Sequence, residues 1–394
     1  MVFLYIVFTV SLGALLIGGM REQRRHYRNL NSIPVRVMVN GIRGKSSITR
    51  LCAGALRGGE MRVVAKTTGT AARFIYPDAS EMPVYRKFNI ANVAEQIGIV
   101  AQAAAERPDA FVIECMAVMP PLQEINQEKL IRSNIGVLCN VREDHLAEMG
   151  PTLEDVARSL SRSMPHGDVC ITAESEWFEV LQDEADKRDC RLIYADPESV
   201  SDEEMDGFSF FTFKENVAIA LAVAAEVGVS RQDALAGMYA APPDPGVLSV
   251  ETYDIGGKRL ALANIFAAND PNSTVMNFKR LLEADAIKPP IFTLINCRPD
   301  RVERNGQMGE IVPDLLTDKL FVIGQPSRSA ITTVPKTWDG EVIDLGGDGR
   351  DPQDIFGTIL EHAPQSGASL VAIGNIHGQG ERLLEHLEEF GELR

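Results

Sequence analysis

The chain has 394 residues, enough for about two or three domains, and its 45% hydrophobic share excludes intrinsic disorder as the main state. Its 39 Lys and Arg against 55 Asp and Glu leave a net charge of −16, which excludes a general nucleic-acid binder and leaves room only for a local basic pocket. The 6 cysteines are scattered with neither CxxC nor zinc spacing, and read as reduced core residues in a reducing compartment.

Met1 to Met20 carries no charge and has about the 20 residues that a helix needs to cross a bilayer. Arg21, Arg24, Arg25 and Arg28 follow at once, which places the N-terminus outside and the rest in the cytoplasm. A cleaved secretory signal would carry its positive charge before the apolar run. The expectation is a single-pass anchor in the cell membrane over 1–20, a basic juxtamembrane linker over 21–33, and catalytic domains on the cytoplasmic side.

From about residue 34 onward, short β-branched runs alternate with helical patterns, the mark of a parallel sheet with crossover helices, so the fold class is α/β. Strands are expected at Val35 to Val39, Arg62 to Ala65, Ala110 to Ile113, Ile135 to Cys139 and Val169 to Thr172, with helices at Ser46 to Leu56, Val93 to Ala105 and Lys214 to Val227. The run Ala241-Pro-Pro-Asp-Pro-Gly246 propagates neither structure and closes the helical part of the first domain. A hairpin around Asp254 to Ala263 precedes a second α/β set: strands Ile291 to Ile295, Leu320 to Ile323 and Leu370 to Ile373, and helices near Thr274 to Leu282 and Glu381 to Phe390. The domains are drawn as 34–264 and 265–394.

The strand at Val35 runs into Asn40-Gly-Ile-Arg-Gly-Lys-Ser-Ser47 and then a helix. Glycines turn backbone N–H groups toward an anion, the helix N-terminus adds positive potential, a lysine reaches the terminal phosphates, and the next hydroxyl holds Mg²⁺. Gly41, Gly44, Lys45 and Ser46 fill those roles in a shortened variant of the phosphate loop. A triphosphate needs a divalent cation with hard oxygen ligands. Glu114, ending an apolar strand at the carboxyl edge where such sheets bind ligands, is the candidate, against a solvated strand-end charge. The neighbouring strand ends in Asn140-Val-Arg-Glu-Asp-His145, where Asp144 and His145 read as a metal ligand with its orienting partner or as an exposed acidic turn. Lys66-Thr-Thr-Gly-Thr70 is a run of donors that grips Mg²⁺ or an anionic substrate, or is an ordinary turn.

Gly41-x-x-Gly-Lys-Ser-Ser47, Glu114, Asn140-x-x-x-Asp-His145, Asn216 in Asn-x-x-x-Ala and Pro245-Gly246 together resemble the ATP-dependent Mur ligase superfamily. Within it, Lys66-Thr-Thr-Gly-Thr, Glu114-Cys-Met-Ala-Val, Met149-Gly-Pro-Thr-Leu, Phe266-Ala-Ala-Asn-Asp, Asn296-Cys-Arg and Gly374-Asn-Ile-His-Gly378 resemble the ligase subunits of poly-γ-glutamate synthases. The resemblance implies a phosphate-loop central domain and a smaller Rossmann-like C-terminal domain. It implies ATP on Asn40, Gly41, Arg43, Gly44, Lys45, Ser46, Ser47 and Asn216, and Mg²⁺ on Ser46, Thr68, Glu114 and His145. Lys45, Glu114, His145, Arg298 and Arg301 would carry the chemistry; Lys66, Thr67, Thr70, Arg73, Asn140, Asn269 and His377 are further substrate candidates.

The implied reaction activates a carboxylate as an acyl phosphate, which an amine then attacks to form an amide. Glutamate and the growing polymer are the implied substrates, and integral membrane subunits the implied partners; a homo-oligomer is left open. A basic strip of Arg43, Arg73, Arg298, Arg301 and Arg304 is the expected track for a polyanionic product. Bland readings compete: a surface salt-bridge turn for Arg298 and Arg301, and a structural histidine for His377. A module that hydrolyses ATP to power or regulate a membrane assembly, and a folate polyglutamylating enzyme, are the alternatives weighed. Departures from the family are also legible. Only about 14 residues separate Met20 from the first strand, so no nucleotide-sugar domain is expected there. Leu160 stands where several Mur ligases carry a carbamoylated lysine, and Asn269 stands at a family histidine.

Overall fold

A computed structural model describes residues 2–68, 72–85, 92–210, 212–244, 248–266, 268, 270–283, 285–347 and 349–388. The chain divides into two compact units, 1–244 and 245–394.

The first unit is built on an eight-stranded sheet. Its strands are β1 (Val35–Asn40), β2 (Val63–Lys66), β3 (Arg73–Ile75), β4 (Glu81–Pro83), β5 (Ala110–Glu114), β6 (Ile135–Leu138), β7 (Val169–Thr172) and β8 (Arg191–Tyr194), in the spatial order β4-β3-β2-β5-β1-β6-β7-β8. All pairs are parallel except β2/β3 and β3/β4. Alternation along the central strands explains the layers. Val37 and Val39 of β1, Val63 and Ala65 of β2, and Ala110 and Val112 of β5 share one cluster with the helices α2 (Lys45–Gly58), Lys214–Glu226 and Arg231–Tyr239. Met38, Val64, Phe111 and Ile113 belong to a second cluster with α3 (Glu95–Ala105) and the end of α1 (Val2–Asn31). A sheet buried on both faces reads as continuous apolar runs, which is why these strands were visible in sequence.

Helix α2 crosses Arg231–Tyr239 at very short range, because a Cβ on Gly58 would lie 1.9 Å from the Asp233 carbonyl and one on Gly54 2.7 Å from that of Gly237.

The second unit carries β9 (Ser249–Ile255), β10 (Lys258–Asn264), β11 (Ile291–Cys297), β12 (Lys319–Gly324), β13 (Glu341–Asp344) and β14 (Ala368–Gly374), in the order β13-β12-β11-β14-β10-β9. Only β9 is antiparallel.

Two expected boundaries are corrected. The hairpin drawn inside the first domain belongs to the second, because β10 pairs in parallel with β14, from Leu260 opposite Ala368 to Asn264 opposite Ala372. The segment 21–33 is no loose linker: α1 runs unbroken from Val2 to Asn31, with His26 and Leu30 buried at 5% and 0% exposure. The four arginines masked an amphipathic pattern whose apolar side is Leu30 and its neighbours. The helix expected over Glu381 to Phe390 is Gln379–Glu388, its last two expected residues lying outside the described ones.

Candidate active site

The carboxyl ends of β1, β2, β5 and β6 converge on the loop 40–44. Gly41 has φ +135° and its Cβ would lie 2.9 Å from Cys139 Cβ, so only glycine lets the loop pass so close to β6. Gly44, at φ +77°, caps α2 in the left-handed region without a side-chain cap. The first intrahelical bond there is Ile48 N–H to Gly44 O, so the amides of Lys45, Ser46 and Ser47 open the helix as donors. Lys45 Nζ folds over the loop, 2.7 Å from Gly41 O and 3.2 Å from Ile42 O. Asn216 faces the same turn: a Cβ on Gly44 would lie 3.8 Å from Asn216 Oδ1.

Glu114 is 3% exposed at the end of β5, and one carboxylate oxygen joins two elements. Ser46 Oγ donates to it at 2.8 Å and Thr68 N–H at 2.7 Å. The Ser46 hydroxyl, the β2 turn and a buried carboxylate therefore meet at one point. Ser46 Oγ and the Glu114 carboxylate are hard oxygens beside a helix N-terminus and a lysine, a set that fits Mg²⁺ bound to a triphosphate.

His145 lies at the turn after β6, beside the acid with which the sequence pairs it. Its φ is +52°, its side chain is 47% exposed, and its ring meets Asp144 at 3.7 Å and Glu148 at 3.8 Å. Among the described residues no three His, Cys, Asp or Glu side chains form a metal cluster.

Several expected ligand contacts turn out to hold the loops. Asn140 clamps the backbone of Arg43 in both directions, accepting from its N–H at 3.0 Å and donating to its carbonyl at 3.1 Å. Arg43 also pairs with Asp144 at 3.1 Å, so the β1 and β6 loops are zipped together. Asn40 donates from a buried amide to Gln123 at 2.8 Å and Ser163 at 2.9 Å, which makes it a support of the loop. Lys66 and Thr67 are corrected as substrate contacts. Lys66 is fully buried with Nζ 2.8 Å from Glu95 of α3, and Thr67, 1% exposed, exchanges hydrogen bonds with the Arg73 backbone. Arg73 is half-buried at the head of β3. Thr70 and Asn269 lie outside the described residues. Leu160, at the carbamoyl-lysine position, is fully buried in apolar packing.

In the second unit, Arg298 and His377 follow the carboxyl ends of the paired strands β11 and β14. Arg298 is held bidentately by Asp300, both contacts at 2.9 Å, while Asn305 clamps its backbone. Arg301 is more exposed, 3.8 Å from Asp300. His377 Nδ1 lies 2.7 Å from Glu381, and its carbonyl accepts from buried Asn296 at 3.1 Å. Residues invisible to motif reading complete the support. Glu174, 4% exposed, accepts from the Val141 N–H and from Arg142, both at 2.9 Å, fixing the chain ahead of Asp144.

A parallel sheet with a glycine loop and a helix N-terminus at its carboxyl edge, a buried carboxylate beside them and a second α/β unit after it is the arrangement in which open α/β sheets bind ligands. Comparison with known proteins agrees. The family model for the Mur ligase middle domain matches residues 39–239, and that for the poly-gamma-glutamate synthase CapB C-terminal domain matches residues 250–390. The chain is 36% identical to the capsule biosynthesis protein CapB of Bacillus anthracis over 99% of its length and 83% of that protein's. It is 35% identical to the PGA synthase CapB of Bacillus subtilis, covering 97% of both chains. Among solved structures, E. coli FolC in complex with ADP superposes with a TM-score of 0.67 at 14% identity, covering 93% of this chain and 92% of that one. MurF from Acinetobacter baumannii gives 0.66 at 14% identity, covering 93% and 79%. The chain belongs to the poly-γ-glutamate synthase CapB family of Mur-type ligases. As a member it is an ATP-dependent amide ligase.

Proposed function

We propose that this enzyme is anchored in the cell membrane by α1, faces the cytoplasm, and polymerises glutamate through γ-amide bonds. The observation that carries the reading is the near full-length identity to two CapB proteins, one of them named a PGA synthase. Helix α1 supports the anchor: it is 30 residues long, with mean hydropathy 2.2 over its apolar window, none of which is buried.

In the proposed reaction an oxygen of the chain-end carboxylate attacks the γ-phosphorus of ATP, the bond to the β-bridging oxygen breaks, and ADP leaves an acyl phosphate. The amine of the incoming glutamate attacks the acyl carbon, the C–O bond to phosphate breaks, and the amide forms with loss of a proton. The amides of Lys45, Ser46 and Ser47 cradle the phosphates, and Lys45 swings from the loop carbonyls onto the β/γ oxygens. Ser46 and Glu114 would hold Mg²⁺, which when bound neutralises charge on the β and γ oxygens. Positioning and cations dominate such a transfer because the transition state is loose and densely charged. Arg298, Arg301 and His377 are the second unit's candidates for the acceptor, and membrane subunits are the proposed recipients of the polymer.

The test is ADP release by the full-length protein in membranes, with Mg²⁺-ATP and with or without glutamate, alongside Lys45→Ala. Release that requires both glutamate and Lys45, together with a γ-linked product, is expected. ATP turnover indifferent to glutamate would sink the ligase assignment in favour of a hydrolysing module.

A further inference from the structure

Arg21, Arg24, Arg25 and Arg28 stand at spacings of i, i+3, i+4 and i+7, so on the unbroken helix α1 they share one face. The opposite side is part of the first unit's core. Leu30 packs with Ile33, Val100, Phe111 and Ile131, His26 is buried, and Tyr27 lies under the Arg132 guanidinium, 5.5 Å from the ring centre. Arg36 secures the helix end, donating to the Ile33 carbonyl at 2.6 Å. The four arginines themselves are exposed, and among the described residues none of them is in an ion pair. A chain of net charge −16 thus keeps four unneutralised cations on one rigid face beside its apolar segment.

We propose that this arginine face binds the phosphate groups of anionic phospholipids and fastens the ATP-binding unit at headgroup level. The inference rests on the membrane-anchor reading above. Depth selects lipid over the acidic polymer. At about 1.5 Å per residue beyond Met20, Arg21, Arg24 and Arg25 lie about 1.5–8 Å past the hydrocarbon edge, within a headgroup layer of roughly 5–8 Å, and Arg28 lies about 12 Å past it, one side-chain length from that layer. Guanidinium groups fork onto phosphate oxygens, and arginines at this depth add attraction to an anionic leaflet. Because the helix is continuous and docked by His26 and Leu30, holding its face holds the unit.

Full-length protein is reconstituted in vesicles of phosphatidylcholine and phosphatidylglycerol and re-extracted in mild detergent, and the lipid that stays with it through gel filtration is quantified. The wild type is expected to retain phosphatidylglycerol about tenfold over its share, with the preference falling as salt rises. The quadruple Arg→Gln variant is expected to lose that preference at an unchanged melting temperature, while the quadruple Arg→Lys variant keeps most of it. Equal retention by the Gln variant overturns the proposal, as does displacement of the lipid by added poly-γ-glutamate, which would make the face a polymer track. Alkaline carbonate extraction separates the two readings. Release by carbonate overturns the anchor and this inference together, whereas protein that resists it yet shows no phosphatidylglycerol preference overturns this inference alone.

Discussion

Glu114 accepts from Ser46 and Thr68 on one oxygen inside a nearly closed site, so replacing it with glutamine keeps the shape while removing the charge. Glu114→Gln is expected to lower glutamate-dependent ADP release by roughly 10²-fold or more. It should also weaken the Mg²⁺ dependence of ATP binding in calorimetry, with little change in melting temperature. If activity fell but the Mg²⁺ dependence of binding were unchanged, the carboxylate would be a structural brace. Asn140 should behave the opposite way. Asn140→Ala removes both hydrogen bonds that hold the Arg43 backbone, and the expected loss is about 1–3 kcal/mol of stability with a raised KM for ATP. An unchanged KM would detach the clamp from the phosphate loop. Motif spacing pointed to Glu114 because the residue ends an apolar strand. It said nothing of Asn140's clamp, since its partner lies 97 positions away and only the sheet order brings them together.

At the scale of elements, α3 is joined to β2, the strand that leads to Thr68, by a buried charge. Lys66 is at 0% exposure on β2 and its partner Glu95 opens α3. Glu95→Gln removes the carboxylate charge that faces this buried ammonium at 2.8 Å, and urea denaturation should report a loss of up to about 3–5 kcal/mol. The pair Lys66→Met with Glu95→Leu should recover much of it, because apolar replacement of both partners removes the desolvation cost. A double variant as unstable as the single one would show that the ammonium has a role beyond neutralising Glu95. The sequence displayed Lys66 as one more donor in a Thr-rich turn, and its burial depended on α3 folding over β2. Likewise the antiparallel strands β3 and β4 escaped notice because each has 3 residues, too few for a period-two pattern to declare itself.

Across the whole molecule, the parallel core was legible because both faces of each central strand are covered, so burial wrote itself as unbroken apolar runs. The boundary between the units was less so. A proline-rich run marks a break without saying which sheet the next hairpin joins, and only the pairing of β10 with β14 assigns it. The cysteines give a property of the entire chain that both units share. All 6 are buried, and burial pushes the thiols of Cys139 and Cys297 up to about 12 and that of Cys190 to about 11. Against an ordinary value near 8.5, the unfolded chain releases these protons first as pH rises. Their contribution to stability is therefore complete below about pH 8.5 and is lost as pH climbs toward the folded values. Melting temperature should fall steadily above that point. At pH 8 the folded protein should leave a disulfide-exchange reagent almost unconsumed, because both access and thiolate are lacking, while denaturant should release 6 equivalents. Rapid reaction of even one thiol in the folded enzyme would mean that the element around it opens readily, and for Cys139, packed against Gly41, that the loop 40–44 opens with it.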